Sequence, residues 1–272
     1  MSEPHHSSLP EYEVYALRYA HMQRTRRDNF IGGDPHDGPM SMDFFVWLIR
    51  SESRAVLVDT GFNASTAQKR QRDMLRCPID AVRSTLGVSA DAISDVILTH
   101  LHYDHAGNLD KLPNARFHVQ DAEMDYATGR CMCFEPMRHA YSVDDVVTLV
   151  RNVYDDRVVF HDGDQEIAPG ISVLKIGGHT KGLQAVRVHT KRGWVVLASD
   201  ASHYYENMDR RRPFPIVYNV ADMLSGYARL SAAADSPEHI VPGHDPQVLQ
   251  QYPAYPGDPD TVILHTVPVP SV

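Results

Sequence analysis

The stretch His100-Leu101-His102-Tyr103-Asp104-His105-Ala106 sets three imidazoles and one carboxylate within six positions. An apolar run, Val96-Ile97-Leu98-Thr99, comes directly before it and reads as a buried strand. A tight loop at a strand end therefore offers neutral nitrogen donors and an anionic oxygen donor. Zinc and similar borderline cations take such ligands. The pattern predicts a metal site whose remaining ligands lie elsewhere in the chain.

Three further motifs supply them. Gly177-Gly178-His179-Thr180 follows the strand-like run from Ile171 to Ile176, and Ser199-Asp200-Ala201 ends the run from Trp194 to Ala198. Pro242-Gly243-His244-Asp245 follows the short apolar pair Ile240-Val241. Each places a ligand-type residue just after a strand, where a loop can aim it at a common point. The set is His100, His102, Asp104, His105, His179, Asp200 and His244. Seven donors exceed the needs of one tetrahedral ion and suit two ions sharing a carboxylate. A lone histidine after a strand is more often structural, so His118, His139, His161, His189 and His239 stay unassigned.

The His-x-His-x-Asp-His run, then Gly-His-Thr, Ser-Asp-Ala and Gly-His-Asp, resembles the metallo-β-lactamase superfamily. Within it, the motifs resemble the N-acyl-homoserine lactonases that quench bacterial quorum sensing. They span residues 44 to 246. The resemblance implies an α/β fold, a four-layer αββα sandwich, as a single domain over 1–272. It implies that His100, His102 and His179 hold a first metal, that Asp104, His105 and His244 hold a second, and that Asp200 bridges them with a water or hydroxide. Asp59, in Val58-Asp59-Thr60-Gly61, matches the family's early aspartate and is expected to orient a ligand histidine. An aspartate before Thr-Gly can equally close a turn. Asp245 is open to the same two readings. The chain departs from the lactonases at one place. Where they often carry a tyrosine, three positions after the bridging aspartate, it has His203, followed by Tyr204 and Tyr205.

The expected activity is opening of a lactone ring, that of an N-acyl-homoserine lactone, by a metal-bridging hydroxide. Two divalent ions, zinc by donor type, are the expected cofactors. Asp104 shuttles the proton to the leaving oxygen in this reading, and His203 or Tyr204 donates to the carbonyl oxygen. The alternatives are hydrolysis of another lactone, ester or thioester, or a non-catalytic metal- or signal-binding protein on the same fold. A β-lactamase would usually have cysteine or another residue near the position of Asp200. A glyoxalase II-type thioesterase would need more than the 28 residues after His244. A diiron oxygen-reducing protein would usually carry glutamate at position 102.

Composition agrees. With 272 residues and 43% hydrophobic content, the chain can bury a sizeable core. A formal charge of −9 argues against a nucleic-acid partner or a nuclease. The expected partner is a small lactone or ester, with a homodimer possible. Three cysteines, Cys77, Cys131 and Cys133, suit a reducing compartment, and the expected location is cytoplasmic. Cys131-x-Cys133 reads as two incidental thiols, with metal binding or oxidative pairing the other options. The polar start through Pro10, with His5-His6, has no apolar signal region, and no run is long enough to span a membrane.

Strands are expected over Tyr12–Tyr19, Phe44–Ile49, Ala55–Val58, Asp95–Thr99, Arg116–Val119, Ile171–Ile176, Leu183–Val188 and Trp194–Ala198. Helices are expected over Ser65–Arg76, Ser142–Tyr154 and Val220–Ala234. A weak echo links two segments. The hairpin from Phe44 ends in Asp59, with His100 following 41 residues later, and the hairpin from Leu183 ends in Asp200, with His244 following 44 later. Three stretches, His21–Asp43, Gly129–Tyr141 and Tyr205–Asn219, fit no regular element and read as lids or binding loops. Their apolar residues, Met40, Met132, Phe134, Met137, Phe214 and Ile216, either line a pocket or anchor the loops. The basic runs Arg24-Thr25-Arg26-Arg27 and Arg210-Arg211-Arg212 read as solvated, the second placed to rim a pocket and attract an anion.

Overall fold

The computed structural model describes residues 9–269, so His5 and His6 lie outside the described residues. The first half runs β1 (Glu13–Met22), β2 (Met42–Arg50), β3 (Ala55–Val58), α1 (Ala64–Arg70), β4 (Asp73–Met74), α2 (Pro78–Leu86), β5 (Asp95–Ile97), β6 (Arg116–Gln120), α3 (Asp121–Thr128), α4 (Glu135–Arg138), α5 (Val143–Tyr154) and β7 (Val158–His161). The second runs β8 (Gln165–Ala168), β9 (Ile171–Lys175), β10 (Gln184–Thr190), β11 (Gly193–Ser199), α6 (Tyr205–Asp209), α7 (Val220–Ala233), β12 (Ile240–Pro242), α8 (Gln247–Gln251), β13 (Ala254–Tyr255) and β14 (Asp258–Ile263). The larger sheet has the order β13-β14-β1-β2-β3-β5-β6-β7, with β4 paired to β1. The smaller has the order β12-β11-β10-β9-β8.

Strand β2 shows why the sheets stack. It is buried on both faces, which a strand requires when it is covered on both sides. Phe44, Val46 and Leu48 join Leu57, Val96 and Phe117 in a core shared with Val82 and Leu86 of α2 and Leu149 of α5. Phe45, Trp47 and Ile49 face the other way and meet Val173, Val186, Val195 and Leu197 of the smaller sheet. Behind that sheet, Ala185, Val196 and Ala198 pack on Tyr227 and Leu230 of α7. The layers are helix, sheet, sheet, helix: the four-layer αββα sandwich.

The echo between the two hairpins has a structural counterpart. Strands β2 and β3 pair antiparallel, and β3 then pairs parallel with β5. Strands β10 and β11 pair antiparallel, and β11 pairs parallel with β12. In each half an aspartate ends the hairpin and a histidine follows the parallel neighbour. Ligands of open α/β sheets bind outside such carboxyl ends.

Several boundaries differ from the sequence reading. The helix expected over Ser65–Arg76 stops at Arg70, because Gln71 turns left-handed (φ 53°) and its N–H bonds the Ala67 and Gln68 carbonyls. Asn63 caps its start, accepting from Thr66 N–H. The chain then runs briefly as β4 before α2, which Pro78 opens and Gly87 closes. Helix α2, helix α3 and strands β7, β8, β13 and β14 were not expected, and short helices α4 and α6 interrupt two of the stretches read as irregular.

At the end of β5 away from the ligand loops, Asp95 is buried among Arg54 (3.2 Å), Arg116 (2.8 Å), His118 (3.0 Å) and Ser94 (2.8 Å). Burial works to raise its pKa, but hydrogen bonds from His118 and Ser94 and the Arg116 charge prevail and hold the carboxyl well below the usual range. A depressed folded-state pKa contributes stability that is present above the unfolded value of about 3.9 and is lost as pH falls through the lower folded value. Asp95→Asn is expected to destabilise by roughly 1–3 kcal/mol at neutral pH. The gap to wild type should narrow below about pH 4. Melting temperatures across pH 2–7 check this; a gap constant with pH would contradict it.

Candidate metal centre

Four loops carry the seven candidate ligands. His100, His102, Asp104 and His105 follow β5, His179 follows β9, Asp200 follows β11 and His244 follows β12. All are buried except Asp104, which is half-buried. His100, His102, His179 and Asp200 each place one donor atom within 4.8 Å of the others. Asp104, His105 and His244 form a second such group, and Asp200, His203 and His244 a third.

Asp200 divides its two oxygens between the groups. Oδ2 lies 3.1 Å from His179 Nε2 and 3.7 Å from His100 Nε2. Oδ1 lies 3.0 Å from His244 Nε2 and 3.3 Å from His105 Nε2. Asp104 Oδ2 completes the second group, 3.8 Å from His105 Nε2 and 4.0 Å from His244 Nε2. His102 turns its Nδ1 inward, 3.0 Å from His179 Nε2.

These donors fit two divalent cations. His100 Nε2, His105 Nε2 and Asp200 Oδ1 are buried and make no hydrogen bond among the described residues. Buried polar atoms are otherwise almost always paired, and such atoms converging on shared points mark a cation site. Burial and the adjacent imidazoles push His100 and His102 well below the ordinary histidine range, so both present lone pairs. Asp200 stays ionised against the cost of burial because His203, His105, His244 and His179 surround it. A dinuclear metal-binding site built from histidine and aspartate is present.

Outward hydrogen bonds fix the rings. His105 Nδ1 donates to Asp59 Oδ2 (2.8 Å), His179 Nδ1 to the Ile216 carbonyl (2.7 Å) and His244 Nδ1 to the Asp43 carbonyl (2.8 Å). Such bonds set the tautomer and aim the opposite nitrogen. Asp59 therefore orients His105, a candidate ligand, and it also accepts from Thr99 N–H (2.7 Å) and the Thr99 hydroxyl (2.8 Å). Asp245 serves the chain rather than the site, accepting from Tyr205 N–H (3.0 Å) and from Gln247 N–H (2.9 Å) at the start of α8. Two glycines make room. Gly178 has φ +86°, and a Cβ there would lie 2.6 Å from Met223 N. A Cβ on Gly243 would stand 3.0 Å from Asp200 Oδ1.

His203 and Tyr204 part company. His203 lines the cavity over the cluster, its ring stacked on Phe214 at 3.8 Å and its Nε2 3.1 Å from Asp200 Oδ2. Its Nδ1 is buried without a partner among the described residues. Tyr204 is fully buried in the core, with its hydroxyl donating to the Ser41 carbonyl (3.2 Å), so the expectation that it might reach the substrate carbonyl is corrected. Adjacent extended residues point to opposite faces, and Tyr204 is extended.

Other site residues escaped the sequence reading. Glu123, at the start of α3, is wholly buried and accepts four hydrogen bonds: from Leu101 N–H (3.0 Å), Tyr141 (3.0 Å), Thr180 (2.6 Å) and Gly182 N–H (3.0 Å). It ties the His100 loop to the His179 loop, and a single glutamate carries no pattern to announce that. The cavity wall holds Arg24, Arg70 and Arg72 together with Met22, Met42 and Phe44. The Arg210 run does not rim this cavity. Arg210 pairs with Glu206 (2.6 Å), and Arg212 bonds the Ile31 and Gly33 carbonyls, which locks the loop before β2. Of the apolar loop residues, Phe214 and Ile216 line the cavity, Met137 lines an adjoining groove and Phe134 is exposed. All three cysteines are free, Cys131 half-buried and Cys133 exposed.

Comparison with known proteins agrees with this geometry. The metallo-beta-lactamase superfamily model matches residues 45–244. An N-acyl homoserine lactonase from Bacillus sp is 28% identical over 221 residues, covering 75% of this chain and 82% of that protein. A probable metallo-hydrolase from Mycobacterium tuberculosis is 28% identical over 233 residues, covering 75% and 72%. Among solved structures, a quorum-quenching N-acyl homoserine lactone hydrolase superposes with a TM-score of 0.77 at 23% identity, covering 92% of this chain and 100% of that one. The matched span contains most of the hairpin of β2 and β3, both candidate ligand groups and Asp200 between them: the chain belongs to the metallo-β-lactamase superfamily.

Proposed function

We propose that this protein is a dinuclear-metal lactonase that hydrolyses the ester of a lactone ring, with N-acyl-homoserine lactones as the model substrate class. The observation that carries the reading is Asp200, whose oxygens are split between two imidazole groups on the floor of an open cavity. The similarity to homoserine lactonases supports the substrate class. The nitrogen-rich donor set favours zinc. Bound at His100, His102 and His179, at Asp104, His105 and His244, and across Asp200, divalent ions supply Lewis acidity and a water acidified toward neutral pH.

The protein groups divide the rest of the work. Met22, Met42, Phe44 and Phe214 give the cavity an apolar wall that orients the ring and limits bulk water. Asp104 is the least buried carboxylate of the cluster. In this reading it takes the proton released by the attacking water and returns it to the ring oxygen as the acyl–oxygen bond breaks. His203, braced on Phe214, donates a hydrogen bond to the carbonyl oxygen as charge builds there, the role a tyrosine fills in similar lactonases. The three free cysteines favour a reducing, cytoplasmic setting.

Metal-replete protein is expected to carry two divalent ions per chain and to open a homoserine lactone ring, with activity lost on chelation. Elemental analysis beside a panel of lactones, esters, thioesters and β-lactams checks both, and one ion or none per chain would contradict the dinuclear reading. Asp200→Asn should lower metal content and turnover together, since a neutral amide cannot offset two cations. Full occupancy with full activity in that variant would remove Asp200 as the bridge. His203→Ala should lower kcat by about 10²–10³-fold, as loss of an oxyanion donor does, with little change in KM. An unchanged kcat with intact metal content would assign carbonyl activation to other groups.

A further inference from the structure

The cavity wall above the metal cluster is cationic in a way the lactonase reading does not use. Arg24 lies beyond β1, Arg70 ends α1 and Arg72 precedes β4, yet all three line the cavity that His102, Asp104, Asp200, His203 and His244 floor. Each is half-buried. Half-buried arginines elsewhere divide: Arg18 meets Asp43 (3.1 Å), Arg26 meets Glu206 (2.5 Å) and Arg76 meets Asp258 (2.5 Å), whereas Arg157, Arg187, Arg192 and Arg212 bond carbonyl or hydroxyl oxygens away from this cavity. The three cavity arginines lack carboxylate partners too, and they alone do so side by side on the wall of one cavity among the described residues. Arg24 donates to the Asn29 side chain (2.7 Å) and the Asp28 carbonyl (2.5 Å). Arg70 donates to the Tyr141 carbonyl (2.9 Å), and Arg72 to the Tyr103 hydroxyl (2.9 Å) and the Arg70 carbonyl (2.8 Å). Every acceptor is neutral, and among the described residues no carboxylate lies within 4.0 Å of the three guanidinium groups.

Aromatic faces hold the forks in place. The Arg24 guanidinium lies 5.0 Å from the Phe214 ring centre, and that of Arg70 lies 3.9 Å from Tyr103. These contacts and the neutral hydrogen bonds leave Nη1 of Arg24, Nη1 of Arg70 and Nη2 of Arg72 without a protein partner among the described residues. Burial, with the Arg72 charge adding to it, pushes the Arg24 guanidinium down. Three partly desolvated cations beside a site for two more is a costly arrangement unless an anion arrives to offset it. Planar guanidinium forks suit oxyanions, which they bind through paired hydrogen bonds.

We propose that Arg24, Arg70 and Arg72 form a recognition site for an oxyanion, a carboxylate or a phosphate, carried by the substrate away from its scissile ester. The inference rests on the lactonase reading for the identity of that ester. A groove without arginine or lysine continues on the other side, past His102 and His179, lined by Tyr126, Met137, Ile216 and Tyr218 together with Glu135 and His139. A substrate with a charged end and an uncharged end is thereby oriented in one sense only.

Three N-acyl-homoserine lactones of matched chain length test this on the metal-loaded enzyme: hexanoyl, adipoyl with its terminal carboxylate, and the hexanoyl chain bearing a terminal phosphate. At least one charged substrate should show a kcat/KM about tenfold above hexanoyl, the scale of one charge-assisted contact. That ratio should shrink at high ionic strength and fall toward one in Arg24→Met and in Arg70→Met. Arg72→Lys, which keeps the charge but loses the fork, should retain part of it. Calorimetric binding of the corresponding γ-lactams, which resist hydrolysis, should give the same ordering. Which charged arm leads distinguishes carboxylate from phosphate. Ratios near one for turnover and for lactam binding in the wild type would overturn the proposal and leave the lactonase reading standing. So would a wild-type preference unchanged in folded Arg24→Met and Arg70→Met. Lactones left intact, with charged lactams still bound tighter in an arginine-dependent way, would uphold the anion site and discard the lactonase assignment.

Discussion

Everything at the centre of this molecule is arranged around one buried carboxylate. Asp200 has imidazole nitrogens on both sides of it, with His179 at 3.1 Å from one oxygen and His244 at 3.0 Å from the other. A lone ionised carboxylate at that depth would be expensive. Its charge is tolerable because groups able to share it crowd around it, and these groups are in turn positioned only because the loops that bear them are pinned. Ser199, the residue before it, adopts a left-handed backbone (φ 47°), and Gly243 leaves room for the Ser199 carbonyl and the Asp200 carboxylate.

The pins are hydrogen bonds that run from the ligands into the body of the fold. Thr99 is the junction among them. Its hydroxyl lies 2.8 Å from Asp59 Oδ2, 3.1 Å from His100 Nδ1 and 2.9 Å from the Ser199 hydroxyl, so one side chain touches the supports of both halves. Glu123 does the equivalent on the opposite flank. Burial raises the pKa of its carboxyl, while hydrogen bonds from Thr180, Leu101, Tyr141 and Gly182 oppose the shift. With five donors' worth of loop geometry resting on Asp59, Thr99 and Glu123, damage to the outer groups reaches the centre without touching a ligand.

What the sequence disclosed follows from how local each signal is. The His100 run packs its chemistry into adjacent positions, and the glycine-flanked His179 and His244 stand right after apolar strands, so the cluster and the αββα class were legible. The paired hairpins ending in Asp59 and Asp200 were visible as a spacing alone. Arg70 and Arg72 were hidden because they read as part of one helix running to Arg76, in which residues two apart point to different sides; the left-handed turn at Gln71 ends that helix and both line the cavity. Arg24 was misread as solvated for the same reason that Arg210 was misread as a pocket rim: charge runs carry no record of which partner each side chain meets. Tyr204 failed on a two-residue periodicity that depends on local backbone, and Glu123 is a single residue whose four partners come from three separate parts of the chain.

The two sheets contribute unequally to the cluster: His100, His102, Asp104 and His105 hang from the larger, while His179, Asp200 and His244 hang from the smaller. Between the sheets lie Phe45, Trp47 and Ile49 against Val173, Val186 and Leu197. An ion held by both sets is thus a rivet through the sandwich. Closing the seam and capturing the ion become one linked equilibrium, in which each raises the free energy needed to undo the other. The aromatic packing in the middle of the molecule is in that sense also a determinant of metal affinity, acting from beneath the site by setting how firmly its two jaws are held at coordination distance.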